Sequence, residues 1–297
     1  MSDAPPAATL PAPGPFLKWA GGKTGLLAQL RPFFPPAGQY QRYVEPFLGG
    51  GAVFFALRQV GERPPAARLA DVNADLIGTW TVVRDRVEEL IEALRHHRND
   101  RDHFNEMREL DPSELDPITA AARFVYLNRT CYNGLYRVNR AGKFNVPFGS
   151  YHNPRICQAD TLRAASLALR DVELVVGDFE DTTADLGRGD FVYFDPPYVP
   201  TSATANFTDY AEDGFNHADQ RRLADLFHDL DDRGCTLLLS NSYHELVRKL
   251  YKRPDDERHF PLREVTARRA ISCDANTRGP VLEYVVANYP LAATRSR

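Results

Sequence analysis

The chain has 297 residues, 43% hydrophobic and 11% aromatic, with 36 basic and 40 acidic residues and a net charge of −4. That length and composition fill one large domain or two modest ones and exclude wholesale disorder, while charges interrupt every apolar run short of the ~18 residues that cross a bilayer. The slight acidity counts against a nucleic-acid partner, because domains that bind nucleic acid are usually basic.

Residues 1–15 hold five prolines and no signal-peptide core, and read as a flexible tail. Residues 41–47 are β-prone and end at Leu48-Gly49-Gly50-Gly51, after which residues 52–59 have helical composition. A short apolar run ends in Asp71, and residues 74–98 read as one long helix. Strand, glycine loop, helix, strand and acid, in that order, predict the opening of a doubly wound α/β unit. Residues 99–117 are charged and helix-prone, residues 118–128 form an apolar helix, and residues 129–151 are rich in Asn, Gly, Arg and aromatics. Continuous apolar runs at 173–176, 191–194, 236–239 and 282–286 suit strands of a mostly parallel sheet covered on both faces. A helix over 217–233 lies between two of them. The predicted organisation is a tail over 1–15, a discontinuous α/β domain over 16–80 and 165–297, and an inserted recognition module over 81–164.

The four cysteines, Cys131, Cys157, Cys235 and Cys273, form no C-x-x-C pair. A thiolate zinc site or a thioredoxin-type motif is therefore not expected, no metal is called for, and the thiols are read as reduced in a cytoplasm.

Asp195-Pro196-Pro197-Tyr198 follows the apolar run 191–194 directly. Two prolines stop both helix and inner strand, so an acid and a ring are held on a stiff turn at a strand's C-terminal end, the edge where ligands sit in open α/β sheets. Such a turn suits alkylation of an amine conjugated to a ring. A carboxylate and a backbone carbonyl accepting its two N–H bonds would pull the nitrogen toward a tetrahedral, attack-ready state, and the tyrosine face could stack on the base. A turn that merely ends a strand is the plain alternative.

Glu45-Pro46-Phe47-Leu48-Gly49-Gly50-Gly51 is followed by Asp71 twenty residues after the last glycine. Glycines after a first strand let a ligand approach the backbone, and an acid at that distance is where a ribose hydroxyl is gripped. The dinucleotide pattern G-x-G-x-x-G is not spelled, so the loop favours an adenosine ligand without a pyrophosphate. Phe16-Leu17-Lys18-Trp19-Ala20-Gly21-Gly22-Lys23 lacks the first glycine of a phosphate loop, Leu17 standing in its place. Trp19 could instead cover an adenine ring or fill the core.

Together these segments resemble the ordered motifs of Dam-type adenine-specific DNA methyltransferases. So do Asp71-Val72-Asn73-Ala74-Asp75, Tyr126-Leu127-Asn128-Arg129, Tyr132-Asn133-Gly134-Leu135 and Phe144-Asn145-Val146-Pro147-Phe148-Gly149. Ser202-Ala203-Thr204-Ala205-Asn206-Phe207 and Arg268-Arg269-Ala270-Ile271-Ser272 also match. The resemblance spans about residues 16 to 289, with the motif order of the family's alpha group. It implies a Rossmann-like methyltransferase domain with an inserted helical and β-hairpin DNA-recognition domain. It also implies S-adenosylmethionine as cofactor, double-stranded DNA as partner, a monomer and no membrane association.

By resemblance Trp19, Ala20, Lys23, Phe47, Gly49, Asp71, Asp178 and Asp195 surround the cofactor, with Asp71 on its ribose and Asp178 on its adenine amine. Asp195 and Pro196 would accept the hydrogens of the target 6-amino group, and Tyr198 would stack on the flipped base, extruded because that amine is paired inside the duplex. Residues 132–143 would form a β-hairpin in the major groove. Arg137 would read guanine, Leu135 and Pro147 would contact or exclude neighbouring bases, and Lys18, Arg129, Asn133, Asn139 and Tyr151 would add DNA contacts. The implied site is GATC, although His152 stands where family members often carry lysine.

Charge resolved along the chain agrees. Between Asp116 and Asp160 there are six basic residues, Arg123, Arg129, Arg137, Arg140, Lys143 and Arg155, and no acid. Tyr126, Tyr132, Tyr136, Phe144, Phe148 and Tyr151 interleave with them. Arg268, Arg269 and Arg278 would supply further phosphate contacts. No Pro-Cys pair exists for carbon-5 cytosine methylation, and no H-x-E with P-C-x-x-C for zinc deamination. The alternatives are a cytosine 4-amino enzyme, usually with Ser where Asp195 stands, a glutamine-amide enzyme, usually with Asn there, and a DNA-binding regulator that has lost catalysis.

Overall fold

The computed structural model describes residues 10–59, 66–198, 215–251, 260–268 and 280–291. Residues 202–207 and Arg269, Ala270, Ile271, Ser272, Cys273 and Arg278 lie outside the described residues, as does the side chain of Arg268.

The strands are β1 (Arg42–Glu45), β2 (Ala66–Asp71), β3 (Val172–Val176), β4 (Asp190–Phe194), β5 (Thr236–Ser242), β6 (Leu262–Arg268) and β7 (Pro280–Ala287). They form one sheet in the order β3-β2-β1-β4-β5-β7-β6. β1 to β5 run parallel, and β7 runs antiparallel to both β5 and β6. This is the Rossmann-like α/β class that the sequence predicts. Alternate side chains of the central strands enter two cores, one on each face. Tyr43, Phe191, Tyr193 and Leu238 join the first, and Val44, Val192, Phe194, Leu237 and Leu239 the second. The chain leaves β1 toward β2 on one side and β4 toward β5 on the other. The loops after β1 and β4 therefore diverge at the topological switch point, where open α/β sheets form a crevice.

The helices are α1 (Leu27–Leu30), α2 (Ala52–Gln59), α3 (Ala74–Asp85), α4 (Val87–Arg95), α5 (Arg101–Glu109), α6 (Pro117–Thr130), α7 (Ala159–Ala168), α8 (His217–Asp232) and α9 (Glu245–Leu250). The expected long helix over 74–98 is two helices. Arg86 leaves helical geometry at φ −138°, ψ 41°, and α4 turns Leu90, Ile91 and Leu94 into the first core. Asn73 caps α3 by accepting from the Leu76 amide at 3.0 Å, and Asp116 with Pro117 at the first position starts α6. An Asn216–Asp219 capping box starts α8.

α4 and α6 contribute to the same core as the sheet, whereas Phe104, Tyr126, Leu127, Cys131, Phe144 and Val146 form a small core of their own. The hairpin expected over 132–143 is shifted along the chain. Tyr132–Gly134 is a single 3-10 turn in which Asn133 (φ +56°) and Gly134 (φ +66°) are left-handed, a conformation no strand accommodates. The antiparallel arms instead meet at Val138 and Phe144, with the Asn139 amide donating to Lys143 O at 2.8 Å and the Asn145 amide to Arg137 O at 3.0 Å.

Candidate active site

β4 is buried along its whole length and delivers Asp195 to the switch point. Lys23 Nζ lies 2.6 Å from Asp195 Oδ1, with only 3% of the Lys23 side chain and 19% of the Asp195 side chain exposed. The same ammonium donates to Gly21 O at 2.8 Å. Ser240 Oγ of β5 donates to Asp195 Oδ1 at 3.2 Å and stands 2.8 Å from the Tyr193 hydroxyl, which must then be the donor to it. Burial pushes the Asp195 carboxyl above its ordinary range, and the Lys23 charge pulls it back. Both sets of contacts use Oδ1, so Oδ2 keeps its acceptor capacity among the described residues.

The rest of the turn is fastened separately. Gln220 of α8 donates its amide to Pro197 O at 3.0 Å and accepts from Asn241 of β5 at 3.0 Å, both side chains fully buried. The Tyr198 hydroxyl donates to Glu283 Oε2 of β7 at 2.5 Å, and Lys23 Nζ lies 4.8 Å from the Tyr198 ring centroid. Glu45, at the end of β1, is buried and accepts from the Tyr43 hydroxyl at 2.8 Å. Burial drives its carboxyl up to about 8, and the Asp195 charge adds to the rise.

On the β2 side, the glycine loop packs on aromatics. A side chain at Gly49 (φ +47°) would bring its Cβ within 2.6 Å of Trp19 Cδ1, and one at Gly51 (φ +61°) within 2.4 Å of Trp80 Cη2. Asp71 accepts from the Gly49 amide at 3.1 Å and the Asn73 amide at 3.0 Å. Burial raises its carboxyl against these bonds. The Trp19 indole stacks on Tyr136 at 5.8 Å and on Phe124 at 6.4 Å, and Ala20 is exposed. Phe47 stacks on Phe179 at 5.4 Å. Asp178, after β3, pairs with Arg222 of α8 at 2.9 Å. Lys23 and Asp195 thus meet each other, while Trp19, Phe47, Gly49, Asp71 and Asp178 border the β1–β3 end of the sheet.

Two charges of the basic segment point inward. Arg123 donates to Met107 O and Arg108 O. Arg129 donates to Phe16 O at 2.5 Å, and the Gln158 amide oxygen, turned toward it, accepts at 2.9 and 3.0 Å; burial lowers this guanidinium to about 10. Arg137, Arg140, Lys143 and Arg155 are exposed, as is His152. Arg137 donates to Asn145 Oδ1 at 2.6 Å, and Asn139 spends its side-chain oxygen on the Ala141 and Lys143 amides at 3.0 Å each. Asn133 Nδ2 is buried with no hydrogen-bond partner among the described residues. The Asn128 side chain brackets Lys18, accepting from its amide at 2.8 Å and donating to its carbonyl at 2.7 Å, and Lys18 Nζ sits 3.8 Å over the Tyr151 ring. Leu135 is half-buried and Pro147 exposed, its carbonyl accepting from the Tyr132 amide at 2.8 Å.

A model of the D12 class of N6 adenine-specific DNA methyltransferases matches residues 19–271. The chain belongs to that family. It is 40% identical to a Type II methyltransferase of Methanocaldococcus jannaschii over 93% of this chain and 99% of that protein. It is 40% identical to a DNA adenine methylase of Serratia marcescens over 90% of this chain and 96% of that protein. For the DNA adenine methylase of Escherichia coli the figures are 36%, 93% and 95%. This D12-class enzyme is therefore an adenine-specific DNA methyltransferase, as the resemblance implies. Among the described residues no helix is long and apolar enough to cross a membrane. Ser240, Gln220 and Glu283 carry no motif around them, and sequence reasoning missed all three.

Proposed function

We propose that this D12-class enzyme transfers the methyl group of S-adenosylmethionine to the 6-amino group of an adenine extruded from duplex DNA, within GATC. The observation that carries the reading is the Asp195 carboxylate at the switch point, one oxygen fixed by Lys23 and Ser240, with the Tyr198 ring beside it.

The residues present fit that donor. Asp71 and Asp178 lie at the C-terminal ends of the adjacent strands β2 and β3, where Asp71 pairs in register with Val176. Val72 and Val176 are exposed apolar side chains beside these acids, a combination suited to a ribose and an adenine ring. Asp71 takes the Gly49 N–H on one oxygen and the Asn73 N–H on the other, and a carboxylate offers about four lone-pair sites, so acceptor capacity remains for a ribose hydroxyl. When bound, S-adenosylmethionine supplies an electrophilic methyl on a sulfonium.

The chain's own residues prepare the nucleophile. Asp195 Oδ2 and the Pro196 carbonyl accept the two N–H bonds of the target amine and draw its lone pair out of conjugation. Burial raises the proton affinity of Asp195, which suits it to hold the proton that the methylated amine sheds. Tyr198 stacks on the extruded base. The module over 81–164 reads DNA through the exposed part of its basic segment: Arg137 contacts guanine, Leu135 and Pro147 shape the neighbouring positions, and Lys18, Asn133 and Tyr151 add contacts. Asn139 shapes the hairpin tip, and Arg129 acts by anchoring residue 16 beneath this surface. The enzyme works as a monomer on nucleoid DNA in the cytoplasm.

Asp195→Ala tests the reading. Methyl transfer is expected to vanish while calorimetric binding of the methyl donor persists. Retained turnover in this variant would sink the mechanism.

A further inference from the structure

The phenol of Tyr198 is held from behind as well as from the side. Its hydroxyl donates to Glu283 Oε2 at 2.5 Å, the length of a charge-assisted O–H···O⁻ bond. Glu283 lies in β7, paired with Ser242 of β5, and is 7% exposed. A carboxylate so deeply buried is costly unless donors meet it, and the Tyr198 hydroxyl is one. No step of the proposed mechanism uses Glu283. The strand that brings it is β7, which runs against the parallel direction of its neighbour β5.

We propose that Glu283 is a positioning residue that sets the plane of the Tyr198 ring, and with it the face on which the extruded adenine stacks. The inference rests on the stacking role given to Tyr198 above. A ring held only by the Lys23 contact can pivot about its side-chain torsions. One bound through its hydroxyl to a fixed carboxylate presents a single face to the base. Burial, and then the Asp195 and Glu283 charges, push the phenol well above its ordinary ionisation range, so it stays a donor at working pH.

The test uses duplex DNA carrying 2-aminopurine at the target position, whose emission an aromatic ring stacked on it quenches, together with single-turnover methylation of the natural base. Four variants are compared with wild type: E283A, E283Q, Y198F and Y198F/E283A. Expected for E283A is brighter emission from the bound probe and a transfer rate lower by roughly tenfold, the equivalent of one hydrogen bond to a charged group. Donor affinity and the thermal midpoint stay near wild type. E283Q keeps an acceptor and recovers most of both signals. Y198F reproduces the emission of E283A, and the double variant adds nothing. Wild-type emission and rate in E283A, or additive effects in the double variant, overturn the proposal. Should E283A fail to fold, Y198F and E283Q carry the test, and wild-type emission from Y198F overturns it. If the wild type transfers no methyl to the natural base, the function proposed above fails; an active wild type with an indifferent E283A removes only the role of Glu283.

Discussion

Replacing Lys23 by Met removes the ammonium while keeping a side chain of similar length. In the wild type that ammonium sits 2.6 Å from Asp195 Oδ1 and 2.8 Å from Gly21 O in a nearly closed site. Breaking a buried pair by removing one partner strands the other charge and costs about 3–5 kcal/mol. At roughly 2 °C per kcal/mol for a chain of this size, the unfolding midpoint falls by roughly 6–10 °C near neutral pH. The loss has a definite pH sign. Burial already holds the folded Asp195 carboxyl above its ordinary range, and removing Lys23 lets it rise further. The folded variant then binds a proton more readily than the unfolded chain. Its stability therefore drops as pH climbs from the unfolded carboxyl value of about 3.9 through the raised folded value. The gap between wild type and K23M should accordingly narrow toward acid. In K23M/D195N no charge is left stranded, so the double variant recovers much of what either single change loses. Thermal unfolding of the four proteins of this cycle, from mildly acid to mildly alkaline buffer, measures every term. A K23M midpoint equal to wild type, or additive losses in the double variant, would refute the reasoning.

Glu45 gives a second pH signature. Its folded carboxyl, lifted to about 8 by burial, lies above the unfolded value of about 4.3, so stability declines as pH rises between the two. E45Q should flatten the midpoint-against-pH curve over that window, and an unchanged slope would contradict the assignment. Gly49→Ala places a Cβ against Trp19 at a left-handed position; about 1–2 kcal/mol of stability should be lost together with donor affinity measured by calorimetry. Gly38→Ala, at φ +83° with nothing within 4 Å, is the control that strains the backbone and leaves donor affinity intact. Arg137→Ala should lose about 1–3 kcal/mol of discrimination at one base pair in methylation assays on substituted sites. Arg129→Ala should instead lower the thermal midpoint with specificity unchanged; the reverse pattern would exchange their roles.

The sheet was legible because its central strands are continuous apolar runs and its first loop is a glycine triplet followed by an acid. α2 and α8 carry their own composition, and the Asp195-Pro196-Pro197-Tyr198 turn marks itself by two prolines after a strand. The break at Arg86 has no glycine or proline to announce it; it arises from turning Leu90, Ile91 and Leu94 into the core. β6 carries the adjacent charges Arg263 and Glu264 after Leu262, alternates polar and apolar only from Glu264 on, and gains its identity at the sheet edge from pairing with β7. The basic segment counted six charges, yet Arg123 and Arg129 are spent on backbone carbonyls of the protein itself, a use that composition cannot distinguish from a surface role. Lys23 was legible as a motif residue, but its partner is not: the pairing with Asp195 exists because the segment before α1 folds across the end of β4. Ser240 and Glu283 matter only through the positions of β5 and β7 beside that turn.

The central claim is that Asp195, held by Lys23 and Ser240, directs a methyl group to the 6-amino nitrogen of adenine in a defined duplex site. The most direct measurement incubates the protein with S-adenosylmethionine carrying a labelled methyl and with duplex DNA of diverse sequence, then maps each labelled base. The account predicts label on adenine N6 within GATC for the wild type and none for D195A. Label on cytosine, on protein, or on adenines without sequence preference would contradict it.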